Sequence, residues 1–450
     1  MMKIKLAALL CLGALTVLGE TTEPASNEQP KPQTAVVLKL DGPIREAPPE
    51  IDLGISDLQS DLFWDDLQLI RRAAKDESVR AIILLINQPE LKMAQMQQLA
   101  AEIKRFKATG KKVFVHADTL ESGSYLLALS ADQIAMTPTS MLMLAGVRMQ
   151  VLYFKELMTK LGIEAETVHA GKYKLAAEPY TRDQPSEEMT EQLNDLVNDI
   201  YGQMAGEISQ SRKLAAEETD AIIDNGPYTA EQALEAKLID RVCHRDKFLM
   251  EIKETSGLEL VFDYSRSKVP SIQPGLAGFF QMLRLFGGEA QPVTGDKIAV
   301  VFVNGVIVEG SSEEFWDSAG TVGSETLRKA FKSINRDDGI KGVVVRIDSP
   351  GGSATASEII WNVIKETAER KPVVISMSGE AASGGYYIAC AGEYIFAAPS
   401  TITGSIGVIA GKPVITELLS KIGVSAFSVA KGKNAGILDP VSKSSEHQRE

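Results

Sequence analysis

Histidine is scarce in this chain of 450 residues, with only His116, His169, His244 and His447. That narrows the usual arrangement in which a nucleophilic side chain draws its base from a histidine. Cysteine is scarcer still, at three residues. Cys11 lies in the N-terminal apolar run, so a disulfide framework is excluded. One bridge between Cys243 and Cys390 is conceivable, but small buried thiols are the expectation. There is no basic stripe, and the net charge is −13. Nothing is therefore available to neutralise phosphates, and nucleic acid is excluded as a partner. A membrane-spanning run is also missing at the N-terminus, where the apolar stretch 6–18 is shorter than the ~20 residues that cross a bilayer.

That short stretch follows Met-Met-Lys-Ile-Lys5, which together is the grammar of an export signal. Residues 1–19 read as a signal peptide cleaved after Gly19, with an uncleaved anchor as the alternative. Leu10 ahead of Cys11 argues against a lipoprotein. Lys3 and Lys5 stay cytoplasmic, which puts the body of the chain on the extracytoplasmic face. Residues 20–34 are polar and proline-bearing, a tether. The remainder, in a chain 44% hydrophobic and 24% charged, is ordinary globular sequence long enough for two cores.

The chain contains one segment twice, 261 positions apart. Ile86-Asn-Gln-Pro89 matches Ile347-Asp-Ser-Pro350, and Ser122-Gly-Ser-Tyr125 matches Ser383-Gly-Gly-Tyr386. Pro138-Thr139 matches Pro399-Ser400, and Gly171-Lys172 matches Gly432-Lys433. A constant offset over roughly a hundred residues means duplication of a structural unit.

The copies differ where chemistry would sit. Pro350 is followed by Gly351-Gly352, whereas Pro89 is followed by Glu90-Leu91. Paired glycines after an apolar strand let backbone N–H groups approach a ligand. The second copy also reads Gly379-Glu-Ala-Ala-Ser-Gly-Gly-Tyr386, which puts Ser383 among small residues at an expected helix N-terminus. Each loop taken alone is more often a turn with a serine cap. Two of them after neighbouring strands, one altered in the sister copy, point to an active site. The first copy holds the other half: Gly171-Lys-Tyr-Lys-Leu-Ala-Ala-Glu-Pro179 aligns with Gly432-Lys-Asn-Ala-Gly-Ile-Leu-Asp-Pro440, so that Lys174 faces Ala435. Among the histidines only His447 lies downstream of Ser383, in a polar run. A lysine replaces histidine as base once burial makes its neutral amine available. Lys174 is that candidate, and a solvated surface lysine is the competing reading.

Together, Ser-Pro-Gly-Gly (349–352), Ala-Ala-Ser-Gly-Gly-Tyr (381–386), Thr-Gly-Ser-Ile-Gly (403–407) and Gly-Lys-Tyr-Lys (171–174) resemble the signal peptide peptidase A family in its long bacterial form with tandem domains. The resemblance implies an α/β chain of two tandem ClpP/crotonase-like domains with a Ser/Lys dyad. Ser383 is then the nucleophile and Lys174 the general base. Ser405 positions the lysine amine, and the N–H groups of Gly351 and Gly384 form the oxyanion hole. The substrates implied are signal peptides and other apolar peptides at the membrane, with no cofactor and no metal. Combined with the split site, it also implies a homotetramer. Ser122, lacking the glycine pair and the lysine, reads as a relic. A crotonase-like CoA enzyme and a non-catalytic membrane scaffold are the alternatives.

Along the chain, strands at 36–40, 81–86 and 113–116 alternate with helices at 92–106, 125–130 and 151–161, which implies an α/β unit. Further helices are expected at 187–211, 215–225 and 230–236. The first domain is 35–262, which supplies the lysine, and 263–296 is an interdomain segment with an apolar stretch at 276–286. That stretch is either a packing helix or a lining for apolar substrate. The second domain, 297–450, supplies the serine, and by the offset it ends opposite Met189, short of a last helical layer.

Overall fold

A computed structural model describes residues 32–47, 62–264, 295–315 and 318–449. The expected signal or anchor at 1–19, most of the tether at 20–34 and the apolar stretch 276–286 lie outside the described residues.

The first copy is built on the parallel strands Thr34–Pro43, Val79–Glu90 and Lys112–Glu121, with Gln133–Met136 beyond them. Ile82, Leu84 and Ile86 point to one face of the sheet and Ala81, Ile83 and Leu85 to the other. Both sets are apolar because both faces are covered, as a parallel sheet requires. Phe63–Lys75 and Met93–Ala108 cover the first face, joined by Met204 and Ile208 of the long helix Glu187–Arg212. Phe248 and Ile252 of Arg245–Ser256 cover the second. The second copy repeats the plan with Lys297–Asn304, Ile340–Ser349, Val373–Ala382 and Tyr394–Phe396. Its helices Ser324–Arg336 and Ala354–Ala368 start 261 positions after their counterparts.

The second face of the second sheet is different. Arg346 stands where the first copy has the apolar Leu85, and with Ser376 and Ser378 it receives Glu46 and Gln98 of the first copy. Arg346 Nε lies 2.5 Å from Glu46 Oε1, with both side chains buried. Lys92 reaches across to Asp348 at 2.9 Å. A two-stranded antiparallel ladder completes the join, Glu164–Ala170 of the first copy against Val408–Val414 of the second. Buried charges are costly when unpaired, so this face has low energy only with the two copies docked.

Two expectations are corrected. The helix expected at 151–161 spans only Lys155–Leu161, and residues 147–153 are neither helix nor strand. Their residues alternate between half-buried and exposed, a period of two that a helix does not produce. Both described cysteines are free, and Cys243 is buried, but Cys390 is exposed on the last turn after Gly384–Ala389.

Candidate active site

The ladder between the copies fixes where two loops meet. Four residues beyond the end of Glu164–Ala170 comes Lys174, and three residues before Val408–Val414 comes Ser405. The loops cross at Gly407, where a Cβ would fall 2.2 Å from Ala170 O and 3.2 Å from Lys174 Cβ, so only glycine fits. Ser383 closes the strand Val373–Ala382 and caps the helix Gly384–Ala389. Its φ of 52° and ψ of −115° lie outside the regions L-residues favour. A serine on such a strand-to-helix elbow presents its hydroxyl clear of the sheet. Its own N–H donates to Gly404 O at 2.9 Å, which ties the elbow to the Ser405 loop.

Lys174, 6% exposed, has three oxygens around its Nζ. Ser383 Oγ is at 2.8 Å, Ser405 O at 2.7 Å and Ser405 Oγ at 2.9 Å. None of the three carries a charge, so burial acts unopposed and pushes the lysine amine below its ordinary value. In its neutral form the amine has two N–H donors and one lone pair. Donating both to Ser405 leaves the lone pair facing the Ser383 hydroxyl, the geometry in which an amine takes a proton.

Beside the dyad lies the glycine pair. A Cβ on Gly351 would sit 2.6 Å from Gly384 N and 2.7 Å from Ser383 Cβ, and its φ is +99°. A side chain there is excluded twice. The N–H of Gly351 already donates to Ser349 Oγ at 3.1 Å, and Ser349 Oγ in turn donates to Gly305 O at 2.6 Å. Gly384 opens its helix, so its N–H has no acceptor within the helix. Gly352, the second glycine of the pair, stands outside the oxyanion set of Gly351 and Gly384 that the resemblance implies. Its nitrogen lies 3.2 Å from where a Gly384 Cβ would be. The buried Ser349, next to Pro350, is the signal that separates the two glycines: it engages the first and leaves the second.

The corresponding place in the first copy is closed. Ser122 Oγ donates to Met143 O at 3.1 Å, and Leu144, at the position matching Ser405, is fully buried. His116 is buried against Cys243 O, while His169, His244 and His447 are exposed, and none is bonded to Ser383. Among the described residues no three His, Cys, Asp or Glu gather to hold a metal.

Comparison with known proteins adds an independent line. The model of Peptidase family S49 matches residues 105–259 and 365–450, and that of Clp protease matches 323–403. Protease 4 of Salmonella typhi is 31% identical over 390 residues, 84% of this chain and 60% of that protein. Protease 4 of Haemophilus influenzae is 29% identical, covering 84% of this chain and 62% of its own. The chloroplastic serine protease SPPA of Arabidopsis thaliana is 30% identical, covering 82% and 53%. The chain thus spans about three-fifths or less of the length of these relatives. Both copies are α/β units; the S49 model falls on each of them and the Clp model on the second.

Proposed function

The chain belongs to Peptidase family S49, and on that premise we propose that it is a serine endopeptidase working through a Ser383/Lys174 dyad assembled from its two copies. The observation that carries this reading is the 2.8 Å contact from the buried Lys174 amine to Ser383 Oγ. Ser383 Oγ attacks the peptide carbonyl while its proton passes to Lys174 Nζ. Negative charge develops on the carbonyl oxygen, and backbone N–H groups stabilise it. Gly384 supplies one. Gly352 supplies the other, because Ser349 Oγ already engages Gly351. The protonated amine then gives its proton to the leaving nitrogen, and water, deprotonated by the same amine, releases the acyl group. Ser405 holds the amine on its lone-pair axis throughout.

The substrates in this reading are apolar peptides at the membrane, cleaved signal peptides among them. Ile406 beside Ser405 is 69% exposed and Val408 57%, apolar surface next to the dyad that suits such chains. No helix among the described residues is long and apolar enough to cross a membrane. Attachment at the extracytoplasmic face is read from the sequence of residues 1–19. Assembly is as a homo-oligomer, a tetramer.

A fluorophosphonate probe tests the chemistry. It should label Ser383 in the intact chain and fail to label Ser383→Ala or Lys174→Ala. A folded chain that cleaves peptides with Ser383 unlabelled would sink the proposal.

A further inference from the structure

The loops that carry Ser383 and the glycine pair leave neighbouring strands, and the ladder between those strands breaks just before them. Ile347 pairs with Met377 and Ser349 with Ala381, so Asp348 alone stands opposite Ser378, Gly379 and Glu380. The first copy grips all three residues of the break. Glu46 Oε2 accepts from Ser378 Oγ at 2.9 Å. The stem of Lys92 lies over Gly379, where a Cβ would fall 2.0 Å from Lys92 Cδ. Glu380 N donates to Asp348 Oδ1 at 2.9 Å, and Lys92 Nζ donates to both oxygens of that carboxylate, at 2.9 and 3.0 Å. Gln95 joins the two grips, accepting from Lys92 N at 2.8 Å and donating to Glu46 Oε2. The first copy's own break is smaller. Ile86 pairs with Ala117 and Asn87 with Thr119, which leaves only Asp118 over, and the neutral Asn87 stands at the position matching Asp348.

We propose that Lys92 is a positioning residue for the nucleophile and its oxyanion donors, acting across the join through Asp348 and the break at 378–380. The inference rests on the dyad reading above and gives the first copy a second part in it. At the break Asp348 Oδ1 serves as the acceptor that the ladder no longer supplies. One carboxylate thereby sets the spacing between the Gly351–Gly352 loop, which follows it, and the Ser383 elbow, which follows Glu380. That carboxylate is only 8% exposed, and a buried anion keeps its place when its cation stays beside it. Among the described residues, Lys92 and Asp348 are the charged groups that act on Glu380, whose carboxyl burial holds above its ordinary value. Without Lys92 the break holds two carboxylates and no cation. Ionising the second drives Asp348 away from Glu380 N, and a shift of about 1 Å takes the N–H donors off the developing oxyanion.

Peptide hydrolysis measured across pH reads this role. Lys92→Met should lower kcat roughly tenfold near neutrality with KM little changed. Its profile should also turn downward in alkali, where Glu380 ionises with no cation beside it, while native activity rises and levels off. Lys92→Arg keeps the charge and should follow the native profile. Lys92→Met/Asp348→Asn should return to within about threefold of native kcat and lose the downward limb, because Asn still offers an oxygen to Glu380 N and carries no charge. Lys443→Met breaks another ion pair between the copies, with Glu164 at the end of the ladder far from Lys174, and should leave kcat unchanged. Should Lys92→Met fail to fold, Lys92→Gln gives the same reading. Native kcat and a native profile in Lys92→Met overturn the inference. So does a loss that Asp348→Asn fails to reverse and Lys443→Met reproduces, since Lys92 then only holds the copies together. The fluorophosphonate probe keeps the two readings apart. A native chain unlabelled at Ser383 removes the dyad and this inference with it, whereas a labelled chain with Lys92→Met unaltered removes the inference alone.

Discussion

The loops at 171–179 and 432–440 share their flanking glycine, lysine, acid and proline, yet only one of them reaches a serine. The first packs under the Ser405 loop, where Lys174 Nζ touches three oxygens. The second lies exposed along most of its length and carries Ala435 at the matching position. The serine ends differ in the same sense. Around Ser383 the glycine pair leaves room, while around Ser122 the positions hold Glu90 and Leu91, and Ser122 Oγ is bonded to Met143 O. The comparison teaches that the duplication divided the work. On the reading proposed above, one copy carries the base and the other the nucleophile and its N–H donors, so the site forms where unlike copies meet.

The strongest test of that division removes either half. Ser383→Ala and Lys174→Ala should each lower kcat by about 10⁴–10⁶, and the double variant should be no worse than either, since nucleophile and base act as a unit. Additive losses in peptide hydrolysis would break the pairing. Making the second copy resemble the first comes next. Gly351→Glu introduces a side chain where a Cβ lies 2.6 Å from Gly384 N, and kcat should fall by roughly 10²–10³ with the fold retained by circular dichroism.

The pH profile separates a buried lysine from a solvated one. Only the neutral amine accepts the Ser383 proton, so activity rises with pH and levels off above the folded amine's value, which burial has lowered. On the rising limb the rate should change about tenfold per pH unit. The same lowering costs stability while the unfolded chain holds its proton, so Lys174→Met should raise the thermal midpoint. That gain should be largest at low pH and fade as pH climbs toward the unfolded lysine's value. Activity that peaks in acid and declines upward would show that Lys174 is not the base.

Ser405→Ala should fall between, losing roughly ten- to hundredfold in kcat because Ser405 O remains to hold the amine. The smallest effect is expected at Ser122→Ala, where kcat should stay within about twofold of the native chain. Loss of turnover there, with Ser383 still labelled by the probe, would reassign the first copy as catalytic.

Much of the site was legible because a duplicated sequence carries its own control. The differences at Glu90, Leu91 and Ala435 singled out Gly351, Gly352 and Lys174 without any knowledge of the fold. The alternation of strands and helices was legible too, since the strand Val79–Glu90 carries apolar residues toward both faces of its sheet. The ladder at the join was not. Val408-Ile-Ala-Gly-Lys-Pro-Val414 has glycine and proline inside the run, which argue against a strand. Glu164-Ala-Glu-Thr-Val-His-Ala170 has little apolar pattern, so each segment becomes a strand only against the other. The first residues of the helix expected at 151–161 likewise carry no pattern that marks where the helix begins, and it begins only at Lys155.

By itself the sequence determined that there are two copies, which groups each retains and which chemistry those groups permit, because residue identity and spacing are local properties. Tertiary structure alone decided that Arg346 meets Glu46 across 300 residues, that Ser349 engages Gly351 and leaves Gly352, and that the Lys174 amine is buried among uncharged oxygens. Those outcomes depend on which surfaces exclude water, and water is excluded only when distant segments close over the same point.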